Sequence, residues 1–361
     1  MKSRVTGTNR SGLSENDVMD TKGRRVWQVG AGDTNRNYGD ICLKYDVMMV
    51  GPGRSGPFTE ELYADAGDIK NSIRRFYGAT KGDIILLRIG TGEILAVGEL
   101  ADEEPHWLEA FGDIDGWDLN HVRRVRWFTN SRRSFPSKTL GGQVRTFAGV
   151  GASVIHSWLD GLKVSRASRE RPLAALPNPG KRLDTKELAE RLFIEGLGSE
   201  YVDRLTSVLG SIQRVAAWYQ NESKKPTGRP SESETVCYLV IPLLFSLGWS
   251  EQTCAVEWNH IDVALFKKMP STDETLECVV EAKLLGRSVF NPAGQARDYA
   301  KRTGREGCTR LVVTDGIRYV LHRSAEEEFK VEAYLNILEM RDSYEVFNCG
   351  GAVEAILGMA K

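Results

Sequence analysis

The stretch His260–Gly286 reads HIDVALFKKMPSTDETLECVVEAKLLG, an aspartate inside one apolar run followed by Glu-Ala-Lys at the end of the next. Ile261, Val263 and Leu265, then Cys278, Val279 and Val280, give both runs the composition of buried strands. Side chains alternate along a strand, so Glu281 and Lys283 are expected on one face with Ala282 behind them, and a hairpin brings Asp262 alongside. E-x-K triplets also occur on solvated strands and helices, but an unpaired charge in a buried run is costly and usually has a purpose. Two carboxylates beside an ammonium suit metal-assisted phosphodiester hydrolysis, with Asp262 and Glu281 holding Mg²⁺ (or Mn²⁺) and Lys283 orienting or activating water.

Downstream, NPAGQARDYAKRTG reads as a helix with Gln295 and Tyr299 four apart on one face. TRLVVTDGIRYVLHR then gives two strands hinged at Asp315-Gly316. Upstream, SESETVCYLVIPLLFSLGW opens on Ser231-x-x-Glu234, a capping-box pattern, and carries Val236, Leu239, Val240, Leu243, Leu244 and Leu247 at helical spacing. A kink is expected at Pro242. Glu234 lies in the first turn, where it caps the helix or reaches the metal site. Segments FKVEAYLNILEM and GGAVEAILGMAK add an edge strand and a closing helix.

The order helix, three strands, helix, two strands, with D…E-x-K on the second and third strands, resembles the PD-(D/E)XK nuclease superfamily over roughly residues 229–325. Within it the likeness is to the nuclease domains of type I restriction subunits and type IV enzymes. The resemblance implies Asp262 and Glu281 as metal ligands, Lys283 as the catalytic lysine and Gln295 with Tyr299 as the Q-x-x-x-Y element. Ile261 stands where the motif has proline, a departure that the superfamily tolerates.

The first half has a different texture. Residues 1–23 are polar and unpatterned, and a mobile tail is expected there. Short strands follow, RVWQVG, DVMMV, GDIILLRIG, GEILAVGEL and HVRRVRWF, with helical material expected in GPFTEELYADAGDIKNSIRRFYG, a combination that suggests a small barrel. Gly51-Pro-Gly-Arg-Ser-Gly56 matches G-x-G-x-x-G, but no regular βαβ series follows, so a glycine-rich loop at the lip of the barrel is the better reading. Trp27, the helix into Phe76-Tyr77-Gly78 and the Gly82-Asp83 strand pair resemble the EVE branch of the PUA-like superfamily over roughly residues 24–150. Relatives of that branch read modified bases in methyl-directed restriction. The resemblance implies an aromatic pocket for an extruded base such as 5-methylcytosine, for which Trp27, Tyr38, Trp117, Trp127 and Phe135 are available. Any one of these rings can equally be core.

From His121 to Val150 the chain carries Arg123, Arg124, Arg126, Arg132, Arg133, Lys138 and Arg145 and no acidic residue. Interleaved with Trp127, Phe128 and Phe135, they are expected to contact DNA phosphates, the alternative being a basic solvated hairpin. The formal net charge of −1 excludes binding by bulk charge.

The expectation for the whole is a multidomain α+β and α/β chain. A tail over 1–23 precedes a PUA-like β-barrel over 24–155, a linker and helical connector over 156–228, and a restriction-endonuclease-like α/β core over 229–361. Asp184-x-x-Glu187 caps one connector helix, and Leu205, Leu209, Ile212 and Ala216 stripe the other. Six cysteines without C-x-x-C pairs read as reduced, and neither a membrane span nor a signal peptide is visible, so a cytoplasmic protein is expected. The expected function is a modification-dependent, type IV-like restriction endonuclease in phage defence. Its partner would be double-stranded DNA with a modified base, cut by a homodimer because one site cuts one strand. Alternatives are a non-catalytic reader and a nuclease acting on RNA.

Overall fold

The computed structural model describes residues 16–361 apart from 34, 129–130, 142–145, 223–229, 292 and 326–327. Most of the expected tail and Arg145 lie outside the described residues. The protein is a mixed α+β chain with two eight-stranded sheets and a small two-stranded one.

The amino-terminal sheet is a half-barrel in the order Val47–Val50, His121–Phe128, Glu93–Leu100, Ile84–Ile89, Val26–Gly30 and Phe147–Gly149. Helix Gly67–Tyr77 falls where helical material was expected. A second helix, Gly39–Tyr45, was not foreseen, because its seven residues are too few to show a period. Asn16–Val18, expected in the tail, pairs instead with Lys163–Ser165, and Met19 is buried beside Ile84, Leu86, Ile155 and Leu159. Residues 153–170 therefore pack on the half-barrel.

The carboxy-terminal sheet runs Cys254–Trp258, Ile261–Phe266, Leu276–Ala282, Arg310–Thr314, Arg318–Ala325, Glu328–Asn336, Cys349–Gly350 and Ser343–Tyr344. Leu276–Ala282 and Arg310–Thr314 are parallel and are joined through helix Ala293–Ala300, as a parallel pair requires a crossover. Glu328–Asn336 is an interior strand of the sheet, not the edge. Helices Thr185–Ile194 and Ser199–Glu222, read as a connector, share one apolar core with Val263, Val280, Leu321 and Ile356 and so belong to this body. The helical run from Glu232 widens into a π-helical segment over Val236–Val240 immediately before Pro242. Proline has no N–H to donate and its ring crowds the carbonyl four residues back, so the wider turn is where the expected kink is absorbed.

The two bodies meet through buried charge. Asp113 of the half-barrel accepts hydrogen bonds from Arg318 Nε (3.0 Å), Tyr334 Oη (2.9 Å) and Asn336 Nδ2 (2.7 Å), and Arg318 also pairs with Asp315 at 3.0 Å. Nearby, Arg341 and Arg182 both reach Glu109, and Val346 packs into the half-barrel core. Burial opposes ionisation of Asp113, but Arg318 and the donors from Asn336 and Tyr334 outweigh it and hold its carboxyl below the ordinary range. Asp113→Ala leaves Arg318 with half of its counter-charge and is expected to lower the unfolding free energy by about 3–5 kcal/mol, read from urea unfolding at pH 7. A depressed carboxyl stabilises above its unfolded pKa of about 3.9, and that stability is lost as pH falls through the folded value. The gap between wild type and Asp113→Ala is thus expected to shrink below about pH 4.

Candidate active site and nucleic-acid surface

Strands Ile261–Phe266 and Leu276–Ala282 pair antiparallel with Val263 opposite Val280, so the register continues to set Asp262 across from Glu281. Asp262 Oδ2 accepts the Ala282 N–H at 2.7 Å, and Lys283 Nζ donates to Glu281 Oε1 at 2.6 Å. The Lys283 N–H is tied to the Thr314 carbonyl at 2.7 Å, while Ala282 packs into the core behind. Asp262, Glu281 and Lys283 are therefore brought together as their spacing predicts.

Glu281 is 2% exposed, and its Oε2 is buried without a hydrogen-bond partner. Burial raises its pKa, the Lys283 donor opposes the rise, and Asp262 and Glu232 add to it. Asp262 is raised as well, first by burial and then by Glu232 and Glu257, against the Ala282 N–H and Lys283. An orphaned buried carboxylate oxygen facing a second carboxylate is short of a cation. Mg²⁺ is commonly held by one or two carboxylates with water and phosphate filling its other positions. Among the described residues no group of three or more His, Cys, Asp or Glu stands at ligand spacing.

A cleft of about 340 Å³ opens beside Asp262, lined by Glu232, Val236, Cys237, Ile241, Val256 and Glu257. Glu232, not Glu234, is the acidic residue of the helix that faces it. Glu234 folds back to accept the Ser231 N–H at 2.9 Å while its own N–H donates to Ser231 Oγ at 3.1 Å, so the capping box consumes it. The sequence carried this signal, since the third helical residue of a capping box must turn back and the first need not. Gln295 donates to Tyr299 Oη at 3.1 Å on the exposed side of helix Ala293–Ala300, which packs against the strand carrying Glu281.

The five rings named for a base pocket do not form one cage, Phe135 lying apart against Trp158. Trp127 (3% exposed) donates to the Cys42 carbonyl and Tyr38 (5% exposed) to that of Gly30, which makes both core residues. Trp27 stacks on Phe147 at 5.0 Å, lies under Arg25 and donates to Asp83 Oδ2, which explains the Gly82-Asp83 signal as structural. Trp117 is half-buried, edge-on to Tyr38, with the Arg36 guanidinium over its ring at 4.9 Å.

The basic stretch divides likewise. Arg123 is fully buried, bound to Asp102 and to the carbonyls of Phe76 and Ala79, and cannot meet a phosphate. Arg124 is half-buried, with its guanidinium on the Ala174 carbonyl, and Arg126 is half-buried beside it on the same strand. Arg132 and Arg133 are exposed; Arg132 pairs with Glu93, and Arg133 lies over Phe135 and Trp158 at 5.1 and 5.5 Å. Trp158, which sequence reasoning left out, completes that basic and aromatic surface. All six cysteines are free, and no helix among the described residues is long and apolar enough to cross a membrane.

No protein-family model and no curated protein matches the chain. Its own geometry has to carry the functional reading.

Glu234→Ala is expected to cost about 1 kcal/mol of stability, a capping loss seen in urea unfolding, without changing Mn²⁺ affinity. Glu232→Ala is expected to do the reverse, weakening Mn²⁺ binding in calorimetric titration while leaving unfolding nearly unchanged.

Proposed function

We propose that the chain is a modification-dependent, type IV-like restriction endonuclease that recognises a modified base in DNA through a PUA-like amino-terminal half and hydrolyses phosphodiester bonds in a restriction-endonuclease-like carboxy-terminal half. The observation that carries the proposal is the partnerless, buried Oε2 of Glu281, set across from Asp262 and 2.6 Å on its other oxygen from Lys283. Asp262 and Glu281 would hold Mg²⁺ or Mn²⁺, with Glu232 near enough to add charge. A bound Mg²⁺ polarises a phosphoryl oxygen and lowers the pKa of water. Lys283 orients the attacking water and offsets charge at the phosphorus. Water gives up one proton to solvent as its oxygen bonds to the phosphorus, the bond to the leaving deoxyribose oxygen breaks, and that oxygen takes up one proton from solvent, so the step balances.

The arrangement of the half-barrel narrows the proposed reading surface. Of the candidate rings, Trp27 and Trp117 are both half-buried under a guanidinium, but Trp27 is stacked on Phe147 with its N–H on Asp83, which leaves Trp117 as the better stacking ring, and Arg132, Arg133, Phe135 and Trp158 offer charge with stacking at a second place. Contacts to phosphate would position the duplex, while a stacked base would specify it.

Purified full-length chain with Mg²⁺ is expected to cut cytosine-methylated or hydroxymethylated DNA in preference to matched plain DNA and RNA, as read on a gel. EDTA is expected to stop the reaction. Asp262→Ala, Glu281→Ala and Lys283→Ala are each expected to reduce cleavage by at least about a hundredfold with unfolding midpoints close to wild type. Cleavage that survives Glu281→Ala combined with Lys283→Ala would remove the site from consideration. Trp117→Ala is expected to cost the modified duplex about 1–3 kcal/mol of binding and the plain duplex much less.

A further inference from the structure

The turn Ile114–Trp117 of the half-barrel closes with two backbone hydrogen bonds, 2.8 and 3.0 Å, and puts Asp115 at φ 51° and Gly116 at φ 90°. A left-handed pair at the tip of so short a turn is why Asp-Gly occupies it. The tip is pushed into the carboxy-terminal body and buried there. Asp115 Oδ1 accepts the Val289 N–H at 2.8 Å, and the Ser288 hydroxyl donates to the same carboxylate. Arg36 donates through Nε to the Asp115 carbonyl at 2.8 Å and through its terminal nitrogen to the Gly286 carbonyl. Asn291 Nδ2 reaches back to the Asn35 carbonyl at 2.8 Å.

These contacts fall on residues 286–291, the segment that leaves the strand of Glu281 and Lys283. From the other side the Gly286 N–H is held by Asp315 Oδ2 at 3.1 Å, and Asp315 is held by Arg318, which the half-barrel grips through Asp113. Only Leu284 and Leu285 separate Lys283 from the clamped Gly286.

We infer that Asp115 and Arg36 are positioning residues for the nuclease site: the half-barrel fixes the backbone that follows Lys283, and thereby the place of its ammonium beside Glu281. The inference rests on the reading of Asp262, Glu281 and Lys283 as a nuclease site. Arg36 also carries Trp117 against its guanidinium, so the same side chain touches a candidate base-stacking ring and the catalytic segment.

The test uses the full chain and single-turnover cleavage of its best DNA substrate at saturating protein, with amide hydrogen exchange followed over residues 284–291. Asp115→Ala is expected to slow the cleavage step by about tenfold or more, since small misplacements of a catalytic group have effects of this size. DNA affinity should stay within about twofold of wild type, and exchange over 284–291 should rise while strand Leu276–Ala282 stays protected. Asp115→Asn keeps an oxygen for the Val289 N–H and should recover most of the rate, which a loss of charge would not predict, while an unfolding midpoint of Asp115→Ala well above the assay temperature separates the slowing from global unfolding. If Asp115→Ala does not fold, Arg36→Gln serves in its place, with the same slowing and the same local exchange expected. Wild-type cleavage with unchanged rates in the folded variants overturns this inference alone. A wild-type chain that cuts none of the methylated, hydroxymethylated, plain or RNA substrates overturns the nuclease reading and this inference with it.

Discussion

The buried chain of charge from Asp113 through Arg318 to Asp315 is the constraint on which the arrangement of the two halves depends. Arg318 is 4% exposed and Asp315 fully buried. An isolated charge at such depth would be prohibitive, so each must be paired and each remaining lone pair or proton used. They are: Asp113 takes four donors, counting the Gly116 N–H at 3.1 Å, and Asp315 takes the N–H groups of Gly286, Ile317 and Arg318 besides the guanidinium. Such a network adds little net stability over an apolar contact, but it tolerates one geometry only. The bodies are therefore indexed to each other by hydrogen-bond direction as well as by shape. Asp115, two residues from Asp113, differs: burial first pushes its carboxyl up to about 6, with the donors from Ser288 and Val289 and the charge of Arg36 opposing.

The central strands Ile261–Phe266, Leu276–Ala282 and Arg310–Thr314 of the carboxy-terminal sheet were legible in the sequence because they are apolar runs, and a run of that kind dictates burial whatever surrounds it. The Asp262, Glu281 and Lys283 cluster was legible for the same reason, since charges in buried runs stand out and hairpin register is short-range. Gln295 and Tyr299 meet through helical spacing alone. The arginines of His121–Phe128 were not legible. Arg123 is neutralised by Asp102, twenty-one residues earlier, and by two carbonyls from the helix end, partners that no local pattern reveals. The aromatic rings failed similarly, because whether Trp127 or Tyr38 lines a pocket or fills a core depends on Cys42 and Gly30 backbone groups set by the fold. Asp113 and Asp115 drew no notice, since an Asp-x-Asp-Gly turn looks like any solvated turn until a second body is placed on it.

Electrostatics at the cleft give the cluster its chemical direction. Asp262 and Glu281 lie with Glu232 and Glu257 at Coulombic range, against the single ammonium of Lys283 in contact. A phosphodiester approaching such a place meets net negative charge in a partly desolvated setting, where repulsion is weakly screened. Burial raises the pKa of both central carboxylates, and the neighbouring acids add to the rise. The divalent cation of the proposed function would resolve this excess of negative charge twice over, by satisfying the orphaned Glu281 oxygen and by turning the local field attractive for phosphate. Under the proposed function a cation would join these acids, and Lys283, already 2.6 Å from Glu281, would direct its remaining donors toward water or phosphate.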